Sequence, residues 1–204
     1  MTLKNRNNIK RIFEQATPDE IKEGIVWYAE AQAEAQKLAK KYQIDLHCVV
    51  GVIAALSPNN KWKRNVTDAA TMISQYLNGF GLDSFKVSTY NAMKLKAWRI
   101  LEESYTPKDT IEILNGQKII SFYRCIMGDR AGVCIDGHAR NIYYNERVGL
   151  TENRTNIGKK EYQEISNAYA SVAYMLSGRG KREYHAYEVQ AITWTVWRRL
   201  HNIK

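Results

Sequence analysis

A chain of 204 residues and 23.6 kDa suffices for one compact domain or for two lobes sharing an interface. Its 45% apolar and 25% charged content is that of a globular protein, and the longest apolar run, Cys48–Leu56, is far too short to span a bilayer. Three cysteines with no Cys-x-x-Cys pair exclude a four-cysteine zinc or iron–sulfur site. The polar, basic start of the chain predicts neither a secretory signal nor a membrane anchor, and a reducing cytoplasm as the compartment. The formal charge of +9 arrives in clusters of Lys and Arg, which points to a polyanionic partner, since such clusters displace counterions from phosphates whatever the base sequence.

In chain order, Thr17-Pro18 and Thr106-Pro107 each read as a Thr N-cap followed by Pro at the first helical position. Ile21, Ile25, Tyr28, Ala29, Leu38 and Tyr42 recur at helical spacing behind the first, and a short helix through Leu114 follows the second. Cys48–Leu56 is ambiguous between buried strand and buried helix; helix is preferred because no partner strand is visible and Ser57-Pro58-Asn59 closes it. Further helices are expected over Trp62–Asn78, Asn91–Glu103, Gln117–Met127, Asp136–Asn145, Lys160–Ser177 and Arg182–Leu200. Turn signals at Gly79–Gly81, Asn115-Gly116, Gly128-Asp129 and Ser177–Gly180 separate them. No strand alternation persists, so the fold class predicted is all-α.

The window richest in chemistry runs from Leu114 to Arg140. A helix, a tight turn containing Gly116 and a second helix opening at Gln117 make a helix–hairpin–helix, whose turn presents backbone N–H groups at a helix N-terminus to a phosphate. Beyond the second helix, Val133-Cys-Ile135 delivers Asp136 to the start of the next. There the helix dipole favours an ionised carboxylate, available as a base or as an electrostatic partner. On spacing alone, Asp136 serves equally as a plain N-cap and Lys118 as a surface lysine.

This segment resembles the helix–hairpin–helix DNA glycosylase superfamily, the endonuclease III group. Leu114-Asn-Gly-Gln-Lys118 is similar to its Leu-Pro-Gly-x-Gly-x-Lys hairpin, and Ile135-Asp-Gly-His-Ala139 to its Val-Asp-Thr-His-Val block. Lys118 and Asp136 stand eighteen positions apart, as do the catalytic lysine and aspartate of endonuclease III. Ala54–Asn60 resembles the Leu-Leu-Ser-x-Gln segment, whose amide enters the duplex near the flipped base, and Tyr90–Lys94 resembles the Tyr-Asn-x-Lys-Ala segment. The resemblance covers roughly residues 48–145, with helices over 160–201 completing the other lobe of a single glycosylase-like unit of residues 1–204. The hairpin departs from the family in having one glycine where the family has two, and no proline. Asn59 stands where the family has Gln, and the C-terminal four-cysteine iron–sulfur loop is absent. The overall pattern resembles phage-encoded members of the superfamily, including some that act on modified thymines; for such a protein the compartment is the host cytoplasm.

What the resemblance implies is two helical lobes with a catalytic cleft between them, onto which Lys118 and Asp136 face, and excision of a base flipped from double-stranded DNA. Asp136 would stabilise the oxocarbenium-like sugar or deprotonate the nucleophile, and Lys118, if neutral, would attack C1′ and add strand cleavage. Neither a metal nor another cofactor is called for, and no membrane partner. His138 is expected to pack or hydrogen-bond beside Asp136. The candidate DNA contacts are Gly116 and Gln117 at the hairpin, Asn59, Asn60, Lys61, Trp62 and Arg64 where aromatic and charged residues interleave, and Arg140 after the aspartate. Trp98, Trp194 and Trp197 are expected in the core. Arg179, Arg182, Arg198 and Arg199 either flank DNA or solvate the surface. Two other readings fit the same charge: a DNA binder that keeps the scaffold without catalysis, and a phage protein that binds a host protein.

Overall fold

The structure is a computed structural model and describes residues 3–149, 157–178 and 182–203; Arg179 and Gly180 lie outside the described residues. All regular structure among the described residues is helical, as the absence of strand alternation requires. The helices are α1 (Leu3–Phe13), α2 (Pro18–Tyr42), α3 (Leu46–Ala55), α4 (Trp62–Leu77), α5 (Asn91–Glu103), α6 (Pro107–Leu114), α7 (Gln117–Ile126), α8 (Gly137–Tyr144), α9 (Lys159–Ser177) and α10 (Ala186–Leu200), with a short 3-10 turn at Leu82–Ser84. No helix among them is long and apolar enough to cross a membrane.

The chain divides into two compact units, one of residues 29–128 and one formed by residues 1–28 together with 129–204. The first is built around α3. Val49, Val50, Val52, Ile53, Ala54 and Ala55 are all fully buried, and α4, α5, α6 and α7 pack around this helix. A segment apolar on every side is a helix that can be enclosed on every side, which resolves the strand–helix ambiguity of Cys48–Leu56. Gly51 lets α6 come close, since a Cβ there would lie 2.5 Å from the Thr110 methyl group.

The second unit joins the two ends of the chain. Ile9, Ile12 and Phe13 of α1 enter one core with Ile142 and Tyr143 of α8, Ile165 and Tyr169 of α9, and Ile192 and Val196 of α10. No helix is expected from the sequence at the N-terminus. Here α1 forms with only those three large apolar residues buried, along one face, and with Lys10 and Arg11 in the last turn, where the helix dipole favours cations. At α10 the expected start also shifts, from Arg182 to Ala186, because Glu188 accepts the His185 backbone N–H at 2.9 Å and so fixes the helix entry there. Thr17 caps α2 as expected, accepting the Glu20 N–H at 3.2 Å while Glu20 accepts the Thr17 N–H at 2.8 Å.

Candidate functional site

The hairpin forms within the first unit. Thr106 and Asp109 make a reciprocal capping box at the start of α6, with the Thr106 N–H on the Asp109 carboxylate at 2.8 Å. The Thr106 hydroxyl, bonded to that carboxylate, holds its pKa below the usual aspartate range. α6 ends when Asn115 turns into the left-handed region at φ 39°, which Asn tolerates better than most residues. Gly116 follows in extended backbone at φ −162° and is the N-cap residue of α7, with no side chain to offer its first turn. The turn therefore draws its left-handed step from Asn115, not from the glycine. A Cβ at Gly116 would instead lie 3.2 and 3.3 Å from the Ile119 side chain. Gln117 and Lys118 are exposed on the first turn of α7, while Ile119 and Tyr123 anchor that helix in the core.

A second feature of the same unit is a prominence made by two loops. Asn59, left-handed at φ 54°, donates from its side-chain amide to the Tyr90 hydroxyl. Thr89 donates to the Pro58 carbonyl at 2.7 Å. Asp68 accepts both the Asn60 amide at 2.9 Å and the Ser88 N–H at 2.8 Å. Exposed Asn59 and Tyr90 thus share one projection, bordered in sequence by exposed Lys61, Lys63, Arg64 and Lys86, with Trp62 half-buried at the start of α4. Trp98 is core, as expected, its indole N–H on Glu102 at 2.6 Å.

In the other unit, Asp136 is the N-cap of α8, its carboxylate accepting the Ala139 N–H at 2.8 Å. The segment that presents it is pinned from behind: the Tyr162 hydroxyl donates to the Val133 carbonyl and accepts the Ile135 N–H, both at 3.0 Å. Val133, Cys134 and Ile135 are buried, and Asp136 emerges half-buried. Beneath lies Tyr169, fully enclosed and 3.5 Å from the Thr193 hydroxyl. Burial pushes its phenol well above the usual range; the Thr193 contact opposes that shift and the Asp136 charge adds to it. His138 is buried on α8, edge-on to Trp194 with ring centroids 6.2 Å apart. Trp197 is core, whereas Trp194 is only half-buried, with Arg198 over its ring at 4.5 Å.

The chain belongs to DUF7178, a family of unknown function. The match spans residues 2–201. No curated protein and no solved structure matches the chain.

Within this DUF7178 protein, the expected DNA contacts fall into three sets. Gly116 and Gln117 share the hairpin with the catalytic candidate Lys118, and Asn59, Asn60, Lys61, Trp62 and Arg64 share the loop prominence and the start of α4. Arg140 stands apart on α8: it pairs with Glu161 at 2.9 Å and lies 4.7 Å over the Tyr144 ring, so its charge already has partners. A groove of about 730 Å³ in the same unit as Asp136 is lined by Arg130, Tyr174, Met175, Tyr184 and His185 and includes none of the predicted site residues. Three residues that sequence reasoning did not single out matter to the local geometry. Tyr162 was hidden because its role is a pair of hydrogen bonds across 27 and 29 positions. Tyr90 was marked only as part of a segment. Lys96, whose ammonium bonds the Leu114 carbonyl, was lost in a run of charges.

Proposed function

We propose that this DUF7178 protein is a DNA-binding glycosylase that flips a modified or damaged base out of double-stranded DNA and cleaves its N-glycosidic bond. The observation that carries the reading is the setting of Asp136. Its carboxylate stands at a helix start, accepting the Ala139 N–H, on a segment fixed from behind by Tyr162. A negative charge held at one point, half-buried, suits a reaction whose sugar becomes cationic as the base departs. In the hydrolytic form, a water oxygen bonds to C1′ and the C1′–N bond breaks, its electron pair leaving with the base. Asp136 takes the proton of the water. The reaction calls on no metal or cofactor.

The reading carries with it a catalytic cleft between two helical lobes, to which Lys118 would bring its amine. With water as nucleophile the enzyme is monofunctional, the form preferred here because the shortened hairpin alters the setting of the lysine. Attack by Lys118 itself would give a Schiff base and strand cleavage. The hairpin and the cationic border of the Asn59–Tyr90 prominence supply phosphate and base contacts of the kind duplex binding needs.

The test is incubation with duplexes carrying a panel of modified pyrimidines, followed by mass spectrometry for free base. Release of one base supports the reading. Salt-dependent binding to every duplex with no base released would leave a non-enzymatic DNA binder, and no binding at low salt would remove both. Borohydride trapping of a covalent complex that Lys118→Gln abolishes would replace water with the lysine.

A further inference from the structure

The last carbonyls of a helix have no partner within it and must find one outside. At the end of α6 the Leu114 carbonyl finds Lys96, which reaches across from α5 and donates from its ammonium at 2.5 Å. Lys96 is half-buried, and no carboxylate pairs with it among the described residues. The nearby charge that acts on it is Arg99, a like charge, itself bound to Glu103 at 2.7 Å. A cation is therefore fixed on the carbonyl two residues before Gly116, without a counter-ion, and of its three N–H groups Leu114 uses one.

The end of α6 offers the ammonium only the partial negative charge of a helix C-terminus, so a full anion beside it would strengthen its setting. Burial, and secondarily Arg99, already pushes the amine below the usual lysine range, which is the direction an anion would reverse. The hairpin beside it has one glycine, and its turn offers α7 no capping side chain.

We infer that Lys96 is a phosphate-binding residue of the hairpin, its ammonium held on the Leu114 carbonyl so that it meets a DNA backbone phosphate docked at Gly116–Lys118. This rests on the DNA-binding reading above and deepens it. Lys96 supplies as fixed charge what a two-glycine hairpin supplies as backbone N–H groups, and as a point charge it contacts the phosphate without reading the base.

The experiment is fluorescence anisotropy with a labelled duplex across a range of KCl concentrations, for the wild type, Lys96→Met and Lys96→Arg. Each phosphate neutralised contributes about 0.9 to the slope of log K against log salt. Lys96→Met is expected to flatten the slope by about that amount and to weaken unrelated sequences by the same factor, and Lys96→Arg to restore it. A Lys96→Met protein with the wild-type slope overturns the inference even if affinity drops, because Lys96 would then only clamp the hairpin. If Lys96→Met loses its cooperative melt, the wild-type protein with reductively ¹³C-methylated lysines replaces it, the Lys96 resonance being assigned by its absence in Lys96→Arg. Movement of that resonance on adding duplex supports the inference. No movement, or movement with inorganic phosphate and not with duplex, overturns it. A wild type that binds no duplex at low salt defeats the DNA-binding reading itself, a result distinct from a wild type that binds with a slope indifferent to Lys96.

Discussion

Asp136 has two duties that different substitutions separate. As an N-cap it accepts the Ala139 N–H, and Asn caps a helix about as well as Asp, whereas Ala costs about 1 kcal/mol. As a charge it is irreplaceable by an amide. Asp136→Asn is therefore expected to keep its urea midpoint, to bind duplex as tightly as the wild type or tighter, and to lose base release by at least about 100-fold. Asp136→Ala should lose both activity and about 1 kcal/mol of stability. Base release at the wild-type rate in Asp136→Asn would remove the carboxylate from the mechanism and leave the non-enzymatic binder. Gly116→Ala is a milder matter than a glycine in a turn suggests. Its backbone is extended, so the substitution needs no unusual φ and meets the buried Ile119 side chain at 3.2 Å, which must give by a few tenths of an ångström; any loss of duplex binding without loss of stability would come from crowding the turn.

Most helices were legible because their causes are local. Thr-Pro starts, αL-tolerant Asn and Gly at turns, and apolar residues three and four apart fix α2, α4, α5, α7 and α9 to within a residue or two of the observed ends. What was illegible depends on partners far along the chain. Nothing in the polar Leu3–Phe13 segment announces a helix until Ile9 and Ile12 meet α8, α9 and α10. The Val133–Ile135 segment shows its chemistry from sequence, through Asp136, but not what holds it. Tyr162→Phe tests that hold. It leaves the Ile135 N–H and the Val133 carbonyl, both in the buried interior, without their partner, at about 1–3 kcal/mol. If the segment's rigidity positions Asp136, kcat for base release falls in this variant while duplex Kd is unchanged, and chemical denaturation reports the stability loss. A variant that loses stability and keeps kcat would mean that the α8 cap alone is enough to place the carboxylate.

At the scale of the molecule, the motif-bearing stretch 48–145 does not coincide with one unit: the hairpin belongs to residues 29–128, and Asp136 to the unit that unites the two chain ends. Periodicity tells which face of a helix is buried but not against which element, so this partition could not be read from the sequence. A unit assembled from both ends needs ties between them, and Arg199 of α10 provides one, binding the Glu20 carboxylate at 2.7 Å and the Gln15 carbonyl at 2.8 Å. The Arg199 hydrogen bond, aided by the Thr17 N–H and opposed by burial, holds the Glu20 carboxyl below its usual value of 4.5. A carboxyl with a lowered folded-state pKa binds fewer protons folded than unfolded. The stability it contributes is thus complete above the unfolded value and is lost as the pH falls below it, toward the folded one. Glu20 is largely buried while Arg199 is half exposed, so salt screens only part of the interaction. Urea midpoints measured from pH 6 to pH 3 should therefore decline more steeply in the wild type than in Glu20→Gln, the two curves converging at the acid end. At neutral pH, Glu20→Gln should be the less stable of the two, because its amide no longer attracts the guanidinium and its NH₂ cannot accept the Thr17 N–H. Parallel curves over the whole range would mean that the Glu20–Arg199 tie carries no net stability, leaving the apolar core shared by α1, α8, α9 and α10 and the other polar contacts, such as Asn8 on the Tyr143 carbonyl, to join the chain ends.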